Sequence, residues 1–180
     1  MLPLLTALAG AGCDAAGPVP PVPERATGPA RAGAASTSPA TGTPEGAAID
    51  CSASIDRLDA PPPGFTVLAG AVALSTRTVL AAGPAGEPDG SLFAKSGLVV
   101  RADAAAELEV DAPTAVRARI GWGGPAEFDT RTRLTGCPDR SGWLVFAGGY
   151  RVARPACLTL AVRADGRDER ARVPVGTGCS

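Results

Sequence analysis

Residues 156–175 read ACLTLAVRADGRDERARVPV, and the alternation inside this stretch decides the fold class. Leu158, Leu160 and Val162 fall on one side of an extended chain and Thr159, Ala161 and Arg163 on the other, because successive strand side chains point to opposite faces. Asp165-Gly166 has the composition of a two-residue type I′ turn, whose central positions both need φ above zero. The chain returns through Arg170–Val175, so the segment predicts a β-hairpin. Pro174 has no N–H to give a ladder, which places its nitrogen at a sheet edge or a strand end.

The same period recurs upstream. Ala106, Leu108 and Val110 alternate with Glu107 and Glu109; Val116, Ala118, Ile120 and Trp122 alternate with Arg117, Arg119 and Gly121; Phe128, Thr130, Thr132 and Leu134 alternate with Asp129, Arg131 and Arg133. Each reads as a strand with one wet face. Trp143–Phe146 is a short apolar run, and Leu98–Val100 follows the Gly97 break. Residues 66–74 and 76–80 are rich in β-branched residues but also in alanine, so strand is the first reading there and helix the second. Gly148-Gly149-Tyr150 reads as a turn carrying an exposed tyrosine. Roughly eight to ten short strands separated by Pro, Gly and Asp, with no helical period, predict an all-β domain. The natural packing is an antiparallel β-sandwich, with the immunoglobulin-like form as the nearest type.

The domain occupies 51–180. Ahead of it, residues 14–50 hold ten Ala, seven Pro and five Gly, with only Val19, Val22 and Ile49 as larger aliphatics. Such a composition buries too little apolar surface to offset its ordering entropy and predicts a disordered linker. Its charge, Arg25 and Arg31 against Asp14, Glu24, Glu45 and Asp50, differs little from the near-neutral domain, and the whole chain is at −1. With no basic stripe, nucleic acid is excluded as a partner.

Five cysteines are an odd number. Cys13 is the odd one, and the run LLTALAGAGC that ends on it resembles the end of a bacterial lipoprotein signal peptide, with Ala11 and Gly12 as the small residues before a lipid-modified cysteine. Gly10 stands where that pattern prefers a larger aliphatic, and the basic n-region is missing, which points to a start codon further upstream. The expectation is a signal segment over 1–13 and a membrane anchor on Cys13, with secretion as the alternative. Two or more acyl chains are needed for stable anchoring. Cys51, Cys137, Cys157 and Cys179 then read as two disulfides of an exported domain. Of three pairings, the one adopted joins Cys51 to Cys179 across the domain ends and Cys137 to Cys157 around a short loop, the latter contributing about 3 kcal/mol in the chain-entropy picture. Zinc fails on spacing, since the chain has no Cys-x-x-Cys and no histidine.

Several segments, LFAKSGLVVR at 92–101, Gly121-Trp122-Gly123, Gly136-Cys137-Pro138, GWLVFAGGY at 142–150 and PACL at 155–158, together resemble a group of small exported proteins from actinobacteria, over most of residues 64–179. The resemblance implies export and a compact disulfide-bonded domain, and it carries over no active site.

Chemistry is scarce. Without histidine there is no Ser-His or Cys-His arrangement. Ser91, Ser96 and Lys95 have the wrong spacing for a Ser-x-x-Lys nucleophile. Glu107 and Glu109 share a strand face about 7 Å apart, within reach of a glycosidase carboxylate pair, although alternating charge is also how a solvated strand face looks. Asp165, Asp168 and Glu169 lack the ladder of oxygen ligands of a calcium loop. Trp122 and Trp143 read first as core. Gly-flanked Trp122 and Tyr150 are the candidates for a stacking platform if the domain binds a sugar or peptide. The reading is a non-catalytic cell-envelope lipoprotein presenting a binding domain, without cofactor or metal. It would sit on the outer face of the membrane, with an envelope protein or polysaccharide as partner. A structural surface protein, or an enzyme acting on envelope polysaccharide, is the alternative.

Overall fold

The computed structural model describes residues 46–111 and 117–180, so Cys13 and most of the linker lie outside the described residues. The elements in chain order are β1 (Ala47–Ala48), a 3-10 turn (Cys51–Ala53), β2 (Ser54–Leu58), β3 (Phe65–Leu68), β4 (Val72–Ser75), β5 (Gly83–Pro84), β6 (Leu92–Lys95), β7 (Leu98–Arg101), β8 (Ala106–Val110), β9 (Ala118–Trp122), β10 (Arg131–Leu134), β11 (Trp143–Phe146), β12 (Gly148–Val152), β13 (Ala156–Ala164) and β14 (Arg167–Val175). The fold is all-β, as the alternation requires.

Three sheets form: β1-β10-β8-β13-β14, β2-β11-β7-β4-β3 and β5-β6-β12-β9. Every named pairing is antiparallel except β1 with β10. The second and third sheets are two arms of one ladder. Leu98 pairs with Phe146 in the second and Lys95 with Gly149 in the third, so both chains turn a corner together, one at Ser96-Gly97 and the other at Ala147. Apolar residues of all three sheets, among them Leu108, Leu160, Leu144, Phe146, Ile120 and Tyr150, form one core.

The predicted hairpin is present with its full register, Leu158 opposite Val173 through Ala164 opposite Arg167. Asp165 and Gly166 take φ of 49° and 72°, the positive values that the turn demands. β14 is an edge strand, and the carbonyl of Pro174 faces outward to accept the Leu80 N–H at 2.8 Å.

Four expectations are corrected. The domain begins before Cys51, since Ala47–Ala48 pairs with β10 and Ile49 is buried. Residues 66–74 are not one strand but a second tight hairpin, β3 and β4, turning at Ala69-Gly70 with φ of 49° and 71°, and 76–80 adds only a single bridge, Leu80 to Val175. Gly148-Gly149-Tyr150 is strand, not turn. Trp143 is half-buried on the face of its sheet that carries Val145 and Arg101.

The disulfides are also paired differently. Cys51 is joined to Cys137 and Cys157 to Cys179, not Cys51 to Cys179 and Cys137 to Cys157. Register explains both. The parallel pair sets Ala48 opposite Arg133, so the chain delivers Cys51 three residues beyond β1 beside Cys137, four beyond the partner position. Cys157 lies opposite Pro174, and the chain turns at Gly176, with φ of 68°, to bring Cys179 back to it. Two disulfides are compatible with an extracytoplasmic, oxidising location.

Candidate functional site

Four places were legible as candidates, and the structure engages, buries or separates the residues of each. On the outer face of the first sheet, Glu107 and Glu109 do stand together, but arginines from both neighbouring strands hold them. Arg163 bonds Glu107 at 2.8 Å and Arg131 bonds Glu109 at 2.9 Å. Hydrogen bonding to Glu109 is the main cause raising Arg131, and hydrogen bonding to Glu107 the main cause raising Arg163. Both carboxylates thus serve as partners of arginines on the adjacent strands. Asp165 goes to Arg101 and Asp168 to Arg163, so those acids diverge from Glu169, and among the described residues no group of three His, Cys, Asp or Glu is placed to hold a metal.

Trp122 and Tyr150 are brought together, edge to face with ring centroids 5.4 Å apart, but inside the core. Tyr150 is fully buried and Trp122 nearly so. Neither presents a face to solvent, so the platform expectation is corrected: strand alternation puts Tyr150 on the inner face of β12, opposite Ala94 and Ile120. Trp122 serves the corner instead. Its Nε1–H donates to the Ser96 carbonyl at 2.8 Å, satisfying a backbone acceptor where the ladder bends. Burial alone pushes the Tyr150 phenol well above its ordinary value. Ser91 and Lys95 lie four residues apart, about 13 Å at strand rise, and Lys95 is exposed; this distance excludes proton exchange between them.

The outer face of the third sheet is different. Arg151 of β12 lies between Phe93 of β6 and Arg119 of β9. One step along are Ser91, Ala153 and Arg117, the last accepting the Ala153 N–H through its carbonyl. One step the other way are Lys95, Gly149 and Gly121. The two glycines matter because neighbouring chain comes close to both, the loop after β9 at Gly121 and strand β6 at Gly149. A Cβ on Gly121 would lie 2.5 Å from the Glu127 carbonyl, and one on Gly149 would lie 3.0 Å from the Phe93 ring and 2.1 Å from the Ala94 carbonyl. Phe128 therefore settles beside Phe93, edge to face at 5.9 Å, and the Arg151 guanidinium stacks 4.2 Å above the Phe128 ring.

Beside this stack is a cleft of about 270 Å³ lined by Asp89, Ser91, Arg117, Arg119 and Arg151 with small apolar neighbours. Arg151 bonds Glu87 at 2.8 Å, whereas the guanidinium groups of Arg117 and Arg119 have no partner among the described residues. Asp89 accepts the Ser91 N–H at 3.0 Å, the chief cause holding its carboxyl below the usual range, and the Ser91 hydroxyl nearby adds to it without closing a hydrogen bond of good geometry. Comparison with protein-family models and with curated proteins returns no match. The cleft was missed in the sequence because its residues come from three separate stretches, and only Arg117 and Arg119 were visible, as the wet side of a strand.

Proposed function

We propose that the chain is a non-catalytic lipoprotein of the cell envelope, anchored through Cys13 on the outer face of the membrane and presenting its β domain to an envelope partner. The observation that carries this reading is the contrast in charge use. Glu107 and Glu109 are held by arginines, while Arg117 and Arg119, without a side-chain partner among the described residues, line a surface cleft, an arrangement suited to holding a ligand and poor in groups for transforming one. The two disulfides support export, and a linker of the composition before Gly46 lets a domain stand off from a surface.

The test is the full chain expressed in a host that processes lipoproteins, with any upstream residues of the open reading frame included. The protein is expected in the membrane fraction, and Cys13→Ala is expected in the medium or periplasm. Soluble secretion of the unmutated protein removes the anchor. Retention of the purified chain on isolated envelope polysaccharide or on an envelope protein supports the binding role, and hydrolysis of that polysaccharide by the purified chain refutes the non-catalytic part.

A further inference from the structure

We infer that the cleft on the outer face of the third sheet is a binding site for a phosphoryl group carried on a small sugar or polyol. The inference rests on the binding-module reading and gives it a ligand class. Of the three buried side-chain polar atoms without a hydrogen-bond partner among the described residues, two belong to this cleft, the Ser91 hydroxyl and Arg151 Nε. Both atoms lie beneath the cleft surface, with the Asp89 carboxylate close to the Ser91 hydroxyl, so the donors that a ligand in the cleft meets are the exposed guanidinium groups of Arg117 and Arg119. Ser91 itself is 9% exposed.

The remaining donors say what the acceptor is. Arg117 immediately precedes β9 and Arg119 lies within it, about 7 Å apart by the strand rise, and Arg151 is the cross-strand neighbour of Arg119. Two exposed guanidinium groups without a partner among the described residues, with Arg151 beside them, present more donors than a planar carboxylate has lone pairs conveniently placed for, and match a tetrahedral anion with three terminal oxygens. Glu87 and Asp89 bound the charge from the other side, which disfavours an extended polyanion such as nucleic acid and limits the ligand to a compact anionic group. Nor is an aromatic face free for base stacking, since Arg151 already covers Phe128. The volume of about 270 Å³ accommodates one monosaccharide-sized unit, and the exposed Ala153 side chain is the apolar contact on this face for its carbon skeleton.

The experiment is calorimetric titration of the full chain, at low ionic strength, with glucose 6-phosphate, glucuronate, inorganic phosphate and glucose. Glucose 6-phosphate is expected to bind saturably in the millimolar range or tighter, and glucose not to bind. Arg119→Gln and Arg117→Gln are each expected to weaken binding about tenfold at unchanged melting temperature. Arg170→Gln, an equally exposed arginine on the first sheet, is expected to leave binding intact. No saturable binding of any phosphate overturns the inference, as does equal weakening by Arg170→Gln, which marks diffuse charge attraction. Glucuronate binding as tightly as glucose 6-phosphate overturns the phosphoryl assignment. Retention on intact envelope material without any phosphate binding overturns the ligand class alone and leaves the binding-module reading standing.

Discussion

The outer faces of the first and third sheets are built from the same material, alternating arginines on adjacent antiparallel strands, and they end in opposite states. On the first, each strand of cations lies beside a strand of carboxylates. β8 carries Glu107 and Glu109 between Arg131 of β10 and Arg163 of β13, and Asp168 closes the row by bonding Arg163 at 2.9 Å. On the third, β9 and β12 both bring arginine; the loop at 86–90 reaches Arg151 through Glu87, and Arg117 and Arg119 have no side-chain partner among the described residues. Neutralisation by neighbours makes a structural surface; like charge set against like charge makes a surface that gains by binding an anion. The difference lies in strand order, not composition.

That comparison yields expected effects of decreasing size. The largest comes from behind the third sheet. Trp122→Ala removes a buried indole and leaves the Ser96 carbonyl without its donor, at a cost of about 3–5 kcal/mol. Thermal melting should drop by more than about 10 °C. A small drop would mean that the corner holds without its tryptophan and that the cleft above it is less rigid than its packing implies.

Next is the contrast between the faces themselves. Glu107→Gln strips Arg163 of its closest partner, and, the pair being part-exposed, should cost about 1 kcal/mol by chemical denaturation. Arg119→Gln should change stability by less than about 0.5 kcal/mol, since its guanidinium bonds nothing in the described protein. Equal costs at the two positions would erase the distinction between a locked face and an open one.

The smallest effect is in pH. Arg101 hydrogen-bonds Asp103 at 2.6 Å, which holds that carboxyl below its usual value. Because the folded value lies below the unfolded one of about 3.9, the contribution is fully present above about pH 4 and is lost as pH falls through the folded value. The melting difference between the protein and Arg101→Gln should therefore narrow between about pH 5 and about pH 2. A constant difference would assign the role of Arg101 to its bond with the Gly70 carbonyl, which does not titrate in this range.

Strand alternation made the first sheet readable in advance, because β8, β10, β13 and β14 each have one apolar and one charged side. It failed where alternation itself was absent. β12 begins with two glycines, which looked like a turn, yet at this bend the backbones of β9 and β6 come so close that a Cβ on Gly148 or Gly149 would clash with them. The β3–β4 hairpin was hidden because Ala69 takes a positive φ that alanine rarely adopts. Cysteine pairing was unreadable for a different reason. It depends on β1, a two-residue strand that sits within a stretch read as linker, and no local signal separates Ala47-Ala48 from the alanines before it. Tyr150 was misplaced with its strand, so the platform reading fell with the turn.

The point where the chain enters the domain has a mechanical consequence. A pull applied ahead of Gly46 arrives first at β1, a strand of two residues, and then at Cys51, where tension crosses the sulfur bridge directly to Cys137. The intervening loop, residues 52–136, is thereby bypassed. Ser91, Arg117 and Arg119 lie inside it, so a pull from that side reaches the strands that carry them through their cross-strand bonds to β12 and not along the chain.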